Sequence, residues 1–292
     1  MELSPARLLL RLALRSGRRA GIVGAPGRWL GHTWGAPLDC GLHALILDPG
    51  EAIQAQIIHR GGYEPRLGRS IRALLRSGRG VFYDVGANIG VHTLTAASTG
   101  CRVVAFEPLA RLADHLDRSV ARNRLDSRVH VERLAVGEVR KTALLYVSRR
   151  RDDGSHSLVA GVPAESTTEV RVPVVPLDEY ASTSPFGPPT VMKIDVEGYE
   201  SRVLDGAREL LAAEEPPIVI LETADRLAGG IGESGASALG RLHRAGYRTY
   251  RVTEDAAPLR EVRSGDDVSA LANYLALPPR HHPEFPRPLR GA

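Results

Sequence analysis

Short apolar runs alternate with segments of helical spacing through most of the chain. Apolar runs of strand length predict buried strands, and apolar residues that recur every three or four positions predict helices. The predicted strands cover residues 81–84, 102–106, 129–134, 190–196, 218–221, 247–252 and 271–277. The predicted helices begin near Gly90 and cover residues 109–123, 200–213 and 236–245. This order predicts an α/β fold whose mostly parallel sheet carries helices on both faces.

A different pattern interrupts this alternation after residue 134. Residues 142–147 and 170–175 alternate apolar and polar side chains, which predicts a β-hairpin insertion. The connecting loop, residues 149–166, is polar and contains His156. A loop of that length inside a compact domain is usually functional or mobile.

Four segments of different composition divide the chain. Residues 1–40 form a basic N-terminal segment, expected to be helical or partly disordered, and residues 278–292 form a Pro/Arg-rich tail expected to be disordered. Residues 81–277 hold the α/β domain, and residues 41–80 lead into it and are expected to form part of the substrate side. Within this lead-in, one strand and two helices are predicted, over residues 42–47, 53–59 and 67–75.

Positive charge is concentrated at the N-terminus. The composition, 43% hydrophobic and 25% charged, is ordinary for a globular protein, and the formal net charge is +4. Residues 1–30 hold six arginines against a single acid, Glu2, which leaves 32 basic and 33 acidic residues in the rest of the chain. That balance and an aromatic content of 5% argue against a nucleic-acid substrate. The basic segment predicts at most weak contact with a membrane surface or a partner.

Neither a membrane span nor a disulfide framework is predicted. Arg11 interrupts the apolar run of residues 8–14, which is too short to cross a bilayer. The two cysteines, Cys40 and Cys101, are too few for a metal cluster or a set of disulfides. A reducing, cytoplasmic location is therefore expected, with Cys101 as a small core residue.

The turn after the first strand of the α/β domain carries the first chemical signal. Residues 84–90 read Asp-Val-Gly-Ala-Asn-Ile-Gly, and the second strand is followed by Glu107. Glycines at such a turn let the backbone approach a nucleotide, and a carboxylate at the next strand end accepts hydrogen bonds from ribose hydroxyls. Asn88 replaces the glycine that makes room for a pyrophosphate, and Asp84 would repel one but pair with an ammonium group. The turn therefore favours S-adenosylmethionine over a nicotinamide dinucleotide, which stays an alternative.

A second cluster of charge follows residue 190. Alternate side chains of a strand share a face, so Lys193, Asp195 and Glu197 are expected to lie together. Burial of these charges is costly unless they pair with one another or bind a ligand. Lys193 is one of two lysines against 36 arginines, which favours a functional role. The structural alternative is a Lys193–Asp195 ion pair that closes the edge of the sheet.

Acids stand at the ends of four predicted strands. They are Asp84, Glu107, Asp195 and Glu222. The carboxyl ends of parallel strands meet at one edge, where such sheets bind their ligands. Asp195 and Glu222 are also two plausible ligands for Mg2+, which is considered as a cofactor but not favoured over a metal-free site.

With both clusters in view, the chain resembles the FkbM family of S-adenosylmethionine-dependent methyltransferases over roughly residues 45–225. The resemblance is carried by residues 62–64, 84–90, 105–108, 135–137, 177–179, 193–200 and 204–207. It implies a class I methyltransferase (Rossmann-like) fold with a seven-stranded sheet, acting on a hydroxyl of a small molecule, natural product, sugar or glycolipid. His92 stands where the family more often has an aromatic residue, and it is expected on the helix surface or at the edge of the cofactor.

Site residues follow by position from this resemblance. The residues implied for the methionine end of the cofactor are Asp84, Gly86, Asn88 and Gly90. Glu107 is implied for the ribose, and Leu134 and Ala135 are implied for the adenine. Placement of the acceptor supplies most of the acceleration, and a base helps to remove the hydroxyl proton. The candidate bases, in order of preference, are Asp195, Glu197 and His156. Glu64 and Lys193 are expected to contact the substrate.

Two other functions stay open on the sequence alone. One is an NAD-dependent oxidoreductase, and the other is a catalytically idle domain that recruits a partner through its basic N-terminus. No motif of the chain encodes the identity of the methyl acceptor or the oligomeric state.

Overall fold

The computed structural model describes residues 35–37, 44–46, 57, 63–148, 156–161, 167–223, 235–253, 259–266, 268 and 272–279. Its strands are β1 (Gly35–Pro37), β2 (Ala44–Ile46), β3 (Val81–Val85), β4 (Arg102–Phe106), β5 (Val129–Glu132), β6 (Ala135–Val136), β7 (Lys141–Ser148), β8 (His156–Ser157), β9 (Thr167–Val175), β10 (Val191–Ile194), β11 (Ile218–Thr223), β12 (Arg248–Val252), β13 (Arg260–Val262) and β14 (Ala272–Leu277). Its helices are α1 (Pro65–Leu74), α2 (Val91–Ala97), α3 (Ala110–Arg122), α4 (Leu177–Thr183), α5 (Glu200–Asp205), α6 (Arg208–Ala212) and α7 (Gly235–Arg244).

The main sheet has eight strands in the order β13-β12-β14-β11-β10-β3-β4-β5. The five strands from β11 to β5 are parallel, whereas β14 runs antiparallel to both of its neighbours, β11 and β12. The expected count of seven strands is corrected by β13, which pairs antiparallel with β12 and extends the edge of the sheet. Without β13 the order is that of the class I methyltransferase fold. The direction of strand addition reverses between β3 and β10, which is where such sheets bind ligands.

Helices cover both faces of this sheet. On one face, α1, α2 and α3 pack through buried apolar residues against alternate strand positions such as Phe82 and Ile220. On the other face, α4 to α7 pack against the intervening positions, including Tyr83. Both β3 and β10 are buried along their whole length, which explains their nearly continuous apolar sequences. Asp84 and Lys193 are the charged exceptions in these two strands, and alternation places them on the face of α1 to α3.

The predicted hairpin insertion forms part of a second, four-stranded sheet. The order of this insertion sheet is β6-β9-β7-β8, and its long antiparallel strands β7 and β9 include the predicted residues 142–147 and 170–175. The short strand β6 pairs parallel with β9. His156, which was expected in a loop without regular structure, lies in β8, which pairs antiparallel with β7.

The helix predicted over residues 200–213 is in fact two helices. α5 ends before Gly206, where a side chain would collide with the backbone of Gly137. The carboxylate of Asp178 then accepts hydrogen bonds from two N–H groups in the first turn of α6, both at 3.0 Å, and caps this second helix. Both contacts join residues far apart in the sequence, which hydrophobic spacing does not reveal.

The N-terminal lead-in agrees with the predicted pattern where it is described. β2 lies within the strand predicted over residues 42–47. Its antiparallel partner β1 lies in the basic segment 1–40, so the expectation of a helical or partly disordered segment is wrong at Gly35–Pro37. α1 corresponds to the helix predicted over residues 67–75. Of the helix predicted over residues 53–59, only Ile57 belongs to the described residues, and it is buried.

Some predictions fall on residues that the structure does not describe. They concern most of the basic segment 1–40 and of the tail 278–292, and both ends of the loop 149–166. Within the described ranges, no helix has the length and apolar character needed to cross a membrane. Cys101 is the buried core residue that was expected, and its thiol donates to the backbone oxygen of Ala96 at 3.2 Å.

Candidate active site

The turn between β3 and α2 joins three parts of the carboxyl edge of the sheet. The N–H group of Gly86 donates to the backbone oxygen of Phe106 at 3.1 Å, which ties the turn to the end of β4. Gly86 has a φ of 84°, and a side chain there would collide with the backbone oxygen of Asp195. A side chain on Gly90, which has a φ of 90°, would meet the end of the Leu116 side chain of α3. The backbone conformation therefore favours glycine at both positions, and at Gly86 the neighbouring backbone also leaves no room for a side chain.

Glu107, directly after β4, is held by backbone donors. Its Oε2 accepts a hydrogen bond from the N–H of Asn88 and its Oε1 from the N–H of Leu109, each at 2.9 Å. Glu107 is 5% exposed, and burial raises its pKa to about 7 despite these hydrogen bonds. Because a carboxylate oxygen has two lone pairs, both oxygens keep the capacity to accept from a ligand.

Asp84, near the end of β3, is buried with one oxygen satisfied. Its Oδ2 accepts a hydrogen bond from the hydroxyl of Thr93 at 2.6 Å. Its Oδ1 is buried and accepts no hydrogen bond from the part of the chain that the structure describes. Lys193 is the register partner of Asp84 on β10, so the two side chains share a face. A buried acceptor without a donor indicates a site for a ligand that donates.

A cleft of about 660 Å³, partly open to solvent, lies at this edge of the sheet. Eight of the predicted site residues line it, namely Gly86, Asn88, Glu107, Leu134, Ala135, His156, Asp195 and Glu197. Four others do not line it, namely Asp84, Gly90, Glu64 and Lys193. The structure therefore brings most of the predicted cofactor residues and all three candidate bases to one cleft.

A second group of charges surrounds the buried lysine. Lys193 is 2% exposed, and its Nζ donates to Oδ2 of Asp195 at 2.7 Å, so the two side chains lie together as the alternation predicts. Burial alone would lower the pKa of Lys193, but the charges of Asp195, Asp84 and Glu222 outweigh it and raise that pKa. The negative charge of Asp195, followed by burial, raises the pKa of Glu222 to about 9. Lys193 therefore stays charged, and its positive charge stabilises the neighbouring carboxyl groups of Asp195, Asp84 and Glu222.

The same acids were considered as ligands for Mg2+. Within the described residues, no group of three or more His, Cys, Asp or Glu side chains is arranged to hold a metal ion. Asp195 and Glu222 both lie in the field of the Lys193 ammonium, which supplies positive charge at this place.

Glu64 is fixed at the start of α1 by contacts from distant parts of the chain. Its backbone is left-handed, with φ 42° and ψ 62°, a conformation that needs support from its surroundings. Its Oε2 lies 2.9 Å from Nε2 of His92, and its Oε1 accepts from Nδ2 of Asn273 at 2.9 Å. Burial would raise the pKa of Glu64, but these hydrogen bonds and the charge of Lys193 hold the pKa below its usual value.

Three residues of this neighbourhood were missed as site residues. His92 is 6% exposed, so its expected place on the helix surface is wrong. Tyr63 lies with its ring centroid 6.4 Å from that of His92, and only its place beside Glu64 in the sequence pointed to it. Asn273 pairs in register with Glu222. Its one sequence signal is a polar side chain inside an otherwise apolar predicted strand.

The other two candidate bases lie in different settings. Nε2 of His156 is 3.2 Å from the guanidinium of Arg111, which only donates, so the lone pair of that nitrogen is engaged. Glu197 has a left-handed φ of 53°, and its backbone oxygen accepts a hydrogen bond from the hydroxyl of Ser157 at 2.7 Å.

A further network holds Tyr199, which lines the cleft. Its hydroxyl donates to Oε2 of Glu138 at 2.9 Å, and Nζ of Lys141 donates to that hydroxyl at 3.0 Å and to Oε1 of Glu138 at 2.7 Å. Lys141 and Lys193 are the two lysines of the chain, so both belong to networks at the edge of this cleft.

Comparison with known proteins identifies a domain. The family model described as the methyltransferase FkbM domain matches residues 84–249, which is more than half of the chain. No protein with a curated description matches the sequence.

Several solved structures resemble the chain at low identity. The methyltransferase FkbM from Methylobacillus flagellatus KT is 19% identical, over 68% of this chain and 44% of that one, with a TM-score of 0.43. An O-methyltransferase from Bacillus cereus in complex with SAH is 15% identical, over 73% and 80% of the two chains, with a TM-score of 0.40. A precorrin-6y C5,15-methyltransferase from Geobacter metallireducens GS-15 is 12% identical, over 73% and 86%, with a TM-score of 0.40. The match thus spans less than half the length of the Methylobacillus protein.

Proposed function

The chain belongs to the FkbM family of S-adenosylmethionine-dependent methyltransferases, and we propose that it transfers the cofactor's methyl group to a hydroxyl oxygen. The proposed acceptor is a small molecule, a natural product, or a sugar or glycolipid. Because the chain belongs to this family, the alternative of an NAD-dependent oxidoreductase is set aside. The observation that carries the proposal is that a buried lysine holds the carboxylate of Asp195 in the same cleft as Gly86 and Glu107.

Glu107 in the cleft and Asp84, which is buried two positions before the lining residue Gly86, both offer acceptor atoms to a ligand that is rich in donors. Oδ1 of Asp84 lacks a donor within the described residues, and both oxygens of Glu107 keep free lone pairs. S-adenosylmethionine carries an ammonium group, which Asp84 would hold, and two ribose hydroxyls, which Glu107 would hold. Leu134 and Ala135 are proposed to lie along the adenine, since both line the cleft.

Gly86, Asn88 and Gly90 are proposed to shape the turn against which the methionine end of the cofactor lies. Gly86 is fixed by close packing, and the N–H of Asn88 orients Glu107. These three residues are therefore proposed to shape the site through their backbone and to take no part in the reaction.

Asp195 is the proposed base. The bound cofactor supplies an electrophilic methyl group, so the chain has to orient the acceptor oxygen and receive its proton. Lys193 fixes Oδ2 of Asp195, and the same carboxylate lines the cleft. Glu197 ranks second because it lines the cleft on the same loop, and His156 ranks third because Arg111 engages its Nε2.

The residues before α1 are proposed to complete the acceptor side. The ring of Tyr63 lies beside that of His92, which contacts Glu64. The pKa of Tyr63 is raised first by burial and then by the charges of Glu64, Asp195 and Glu222. Glu64 and Lys193 are the proposed substrate contacts in this group. This assignment gives the lead-in of residues 41–80 its role on the substrate side.

A methyl-transfer assay tests the proposal. The purified protein is incubated with labelled S-adenosylmethionine and a panel of sugars, glycolipids and natural-product alcohols, and the products are mapped by mass spectrometry. Asp195→Asn is expected to lower turnover by about 100- to 10,000-fold, the usual contribution of a positioned acid–base group. Its affinity for S-adenosylhomocysteine should stay unchanged.

Asp205→Asn is the matched control. The carboxylate of Asp205 pairs with Arg208 and Arg241 in the helical layer, away from the cleft, so this variant should keep wild-type turnover. Transfer to carbon or nitrogen, or equal turnover of the two variants, would contradict the proposal. Binding of the cofactor without transfer to any acceptor would favour the idle domain instead.

A further inference from the structure

The insertion sheet supplies one wall of the cleft. Leu145 on β7, His156 on β8 and Leu158 just after it line the same cleft as Gly86 and Glu107. Strand β8 is two residues long and reaches this position by pairing with the end of β7. The family's turn motifs do not contain these residues, so the wall is a separate contribution to the site.

Ser157 joins this wall to the loop that follows β10. Its hydroxyl donates to the backbone oxygen of Glu197 at 2.7 Å and accepts from the N–H of Val159 at 3.0 Å. Ser157 is 1% exposed, so both hydrogen bonds are made away from bulk water, where they are strong. A hydroxyl has one proton, and in Ser157 that proton is committed to the loop.

Apolar contacts reinforce the same junction. Val159 is fully buried and packs with Tyr199, and Leu158 and Val196 pack against this pair. Val196 and Tyr199 belong to the loop and line the cleft themselves. The wall and the loop are therefore packed together, with the Ser157 hydrogen bond at their contact.

The loop needs support from outside because its backbone is unusual. Glu197 and Gly198 are both left-handed, with φ values of 53° and 95°. From one side, Oε1 of Glu200 accepts from the N–H of Gly198 at 2.9 Å and from the N–H of Val196 at 3.4 Å. From the other side, Ser157 holds the oxygen of Glu197. A strained non-glycine residue persists only where its surroundings fix it in this way.

We propose that Ser157 is a positioning residue for the cofactor. It holds the loop of residues 195–199 against the insertion sheet and so keeps the cleft at the width that the cofactor requires, without touching the reacting atoms. This inference rests on the proposed function, because it takes the cleft as the cofactor site.

Calorimetric titration with S-adenosylhomocysteine tests this role. Ser157→Ala is expected to raise the dissociation constant about three- to tenfold, the equivalent of one buried hydrogen bond. The melting temperature of the ligand-free variant should fall by only a few degrees, the effect of about one buried hydrogen bond, so the protein stays folded at the temperature of the titration. Leu158→Ala, which shortens the wall itself, should also weaken binding.

Thr168→Ala is the matched control. The hydroxyl of Thr168 contacts the backbone oxygen of Val147 at 3.5 Å in the same insertion sheet, but Thr168 is exposed and does not line the cleft. Equal affinities of the wild type and Ser157→Ala would overturn the inference and leave the proposed function standing. A loss of affinity shared by Thr168→Ala would overturn it too, since it would reflect the stability of the sheet. A wild type that does not bind the ligand would overturn both proposals.

Discussion

Glu107 and the Asp195–Glu222 pair lie at the same edge of one sheet, but different groups stabilise their carboxylates. Two backbone N–H groups near Glu107 donate to its two oxygens, and its pKa is raised to about 7 by burial. Asp195 and Glu222 instead lie in the field of one ammonium, that of Lys193, and the charge of Asp195 raises the pKa of Glu222 to about 9. Backbone donors thus stabilise the first carboxylate, whereas a balance of charges governs the pair.

This difference suits the two proposed tasks. A carboxylate held by fixed backbone donors keeps its position whether or not a ligand is bound, which suits recognition of a cofactor. The carboxylate of Asp195 is instead held by a charged side chain, and its charge raises the pKa of the neighbouring Glu222. The group formed by Lys193, Asp195 and Glu222 is therefore expected to be more sensitive to substitution and to pH than Glu107 is.

Removal of the Lys193 ammonium should have the largest effect on the group formed by Lys193, Asp195 and Glu222. Lys193→Met leaves Asp195, Asp84 and Glu222 without their shared positive charge, and it is expected to lower the free energy of unfolding by about 3–5 kcal/mol at pH 7. Lys141→Met is the matched control at the chain's other lysine. It removes a partly exposed ion pair with Glu138 and should cost about 1 kcal/mol or less. Urea unfolding measures both, and equal losses would show that the buried lysine has no special role.

A pH titration of stability sharpens the comparison further. The pKa of Glu222 is raised in the folded protein, from 4.5 to about 9, so folding disfavours its ionisation. The associated stability is complete below pH 4.5 and is lost as the pH rises towards 9. Between pH 7 and 9 the wild type should lose about 2 kcal/mol that Glu222→Gln, which cannot ionise, does not lose. Parallel stability profiles for the two proteins would contradict this account of Glu222.

The smallest expected effect concerns the support of Glu64. Asn273→Ala removes the hydrogen bond from Nδ2 of Asn273 to that carboxylate and leaves the contact with His92, and we expect a loss of about 1 kcal/mol in the free energy of unfolding. Affinity for S-adenosylhomocysteine should not change, because the contacts of Glu107 are untouched. Thermal unfolding and calorimetry measure the two quantities. A loss of affinity without a loss of stability would contradict this role and would show that Asn273 supports the proposed cofactor site.

The residues around Glu107, which form the proposed cofactor site, could be predicted from the sequence because their contacts are local. Asn88 and Glu107, which share a hydrogen bond, are 19 positions apart, and a single strand–turn–helix–strand pattern spans them. Parallel strands then place Asp195 beside that turn, as the strand pattern predicts. The same reasoning identified Lys193 and Asp195 as neighbours through alternation within one strand.

The rest of the site depends on contacts that no local pattern encodes. Glu64 and Asn273 are 209 positions apart and come from opposite ends of the described chain. His92 is buried and contacts Glu64, although its place in the sequence suggested the helix surface or the edge of the cofactor. Strand β8 is too short for any periodicity, so the place of His156 at the cleft could not be read from alternation.

Calorimetric titration of the wild type and of Glu107→Gln with S-adenosylhomocysteine tests the central claim most directly. Glu179→Gln, at an exposed glutamate that pairs with Arg140, serves as the control and should behave as the wild type does. We expect micromolar binding by the wild type and binding at least about tenfold weaker in Glu107→Gln, because the amide nitrogen that replaces one oxygen cannot accept from a ribose hydroxyl or from a backbone N–H group. Absence of binding by the folded wild type, or equal affinity in all three proteins, would contradict the account.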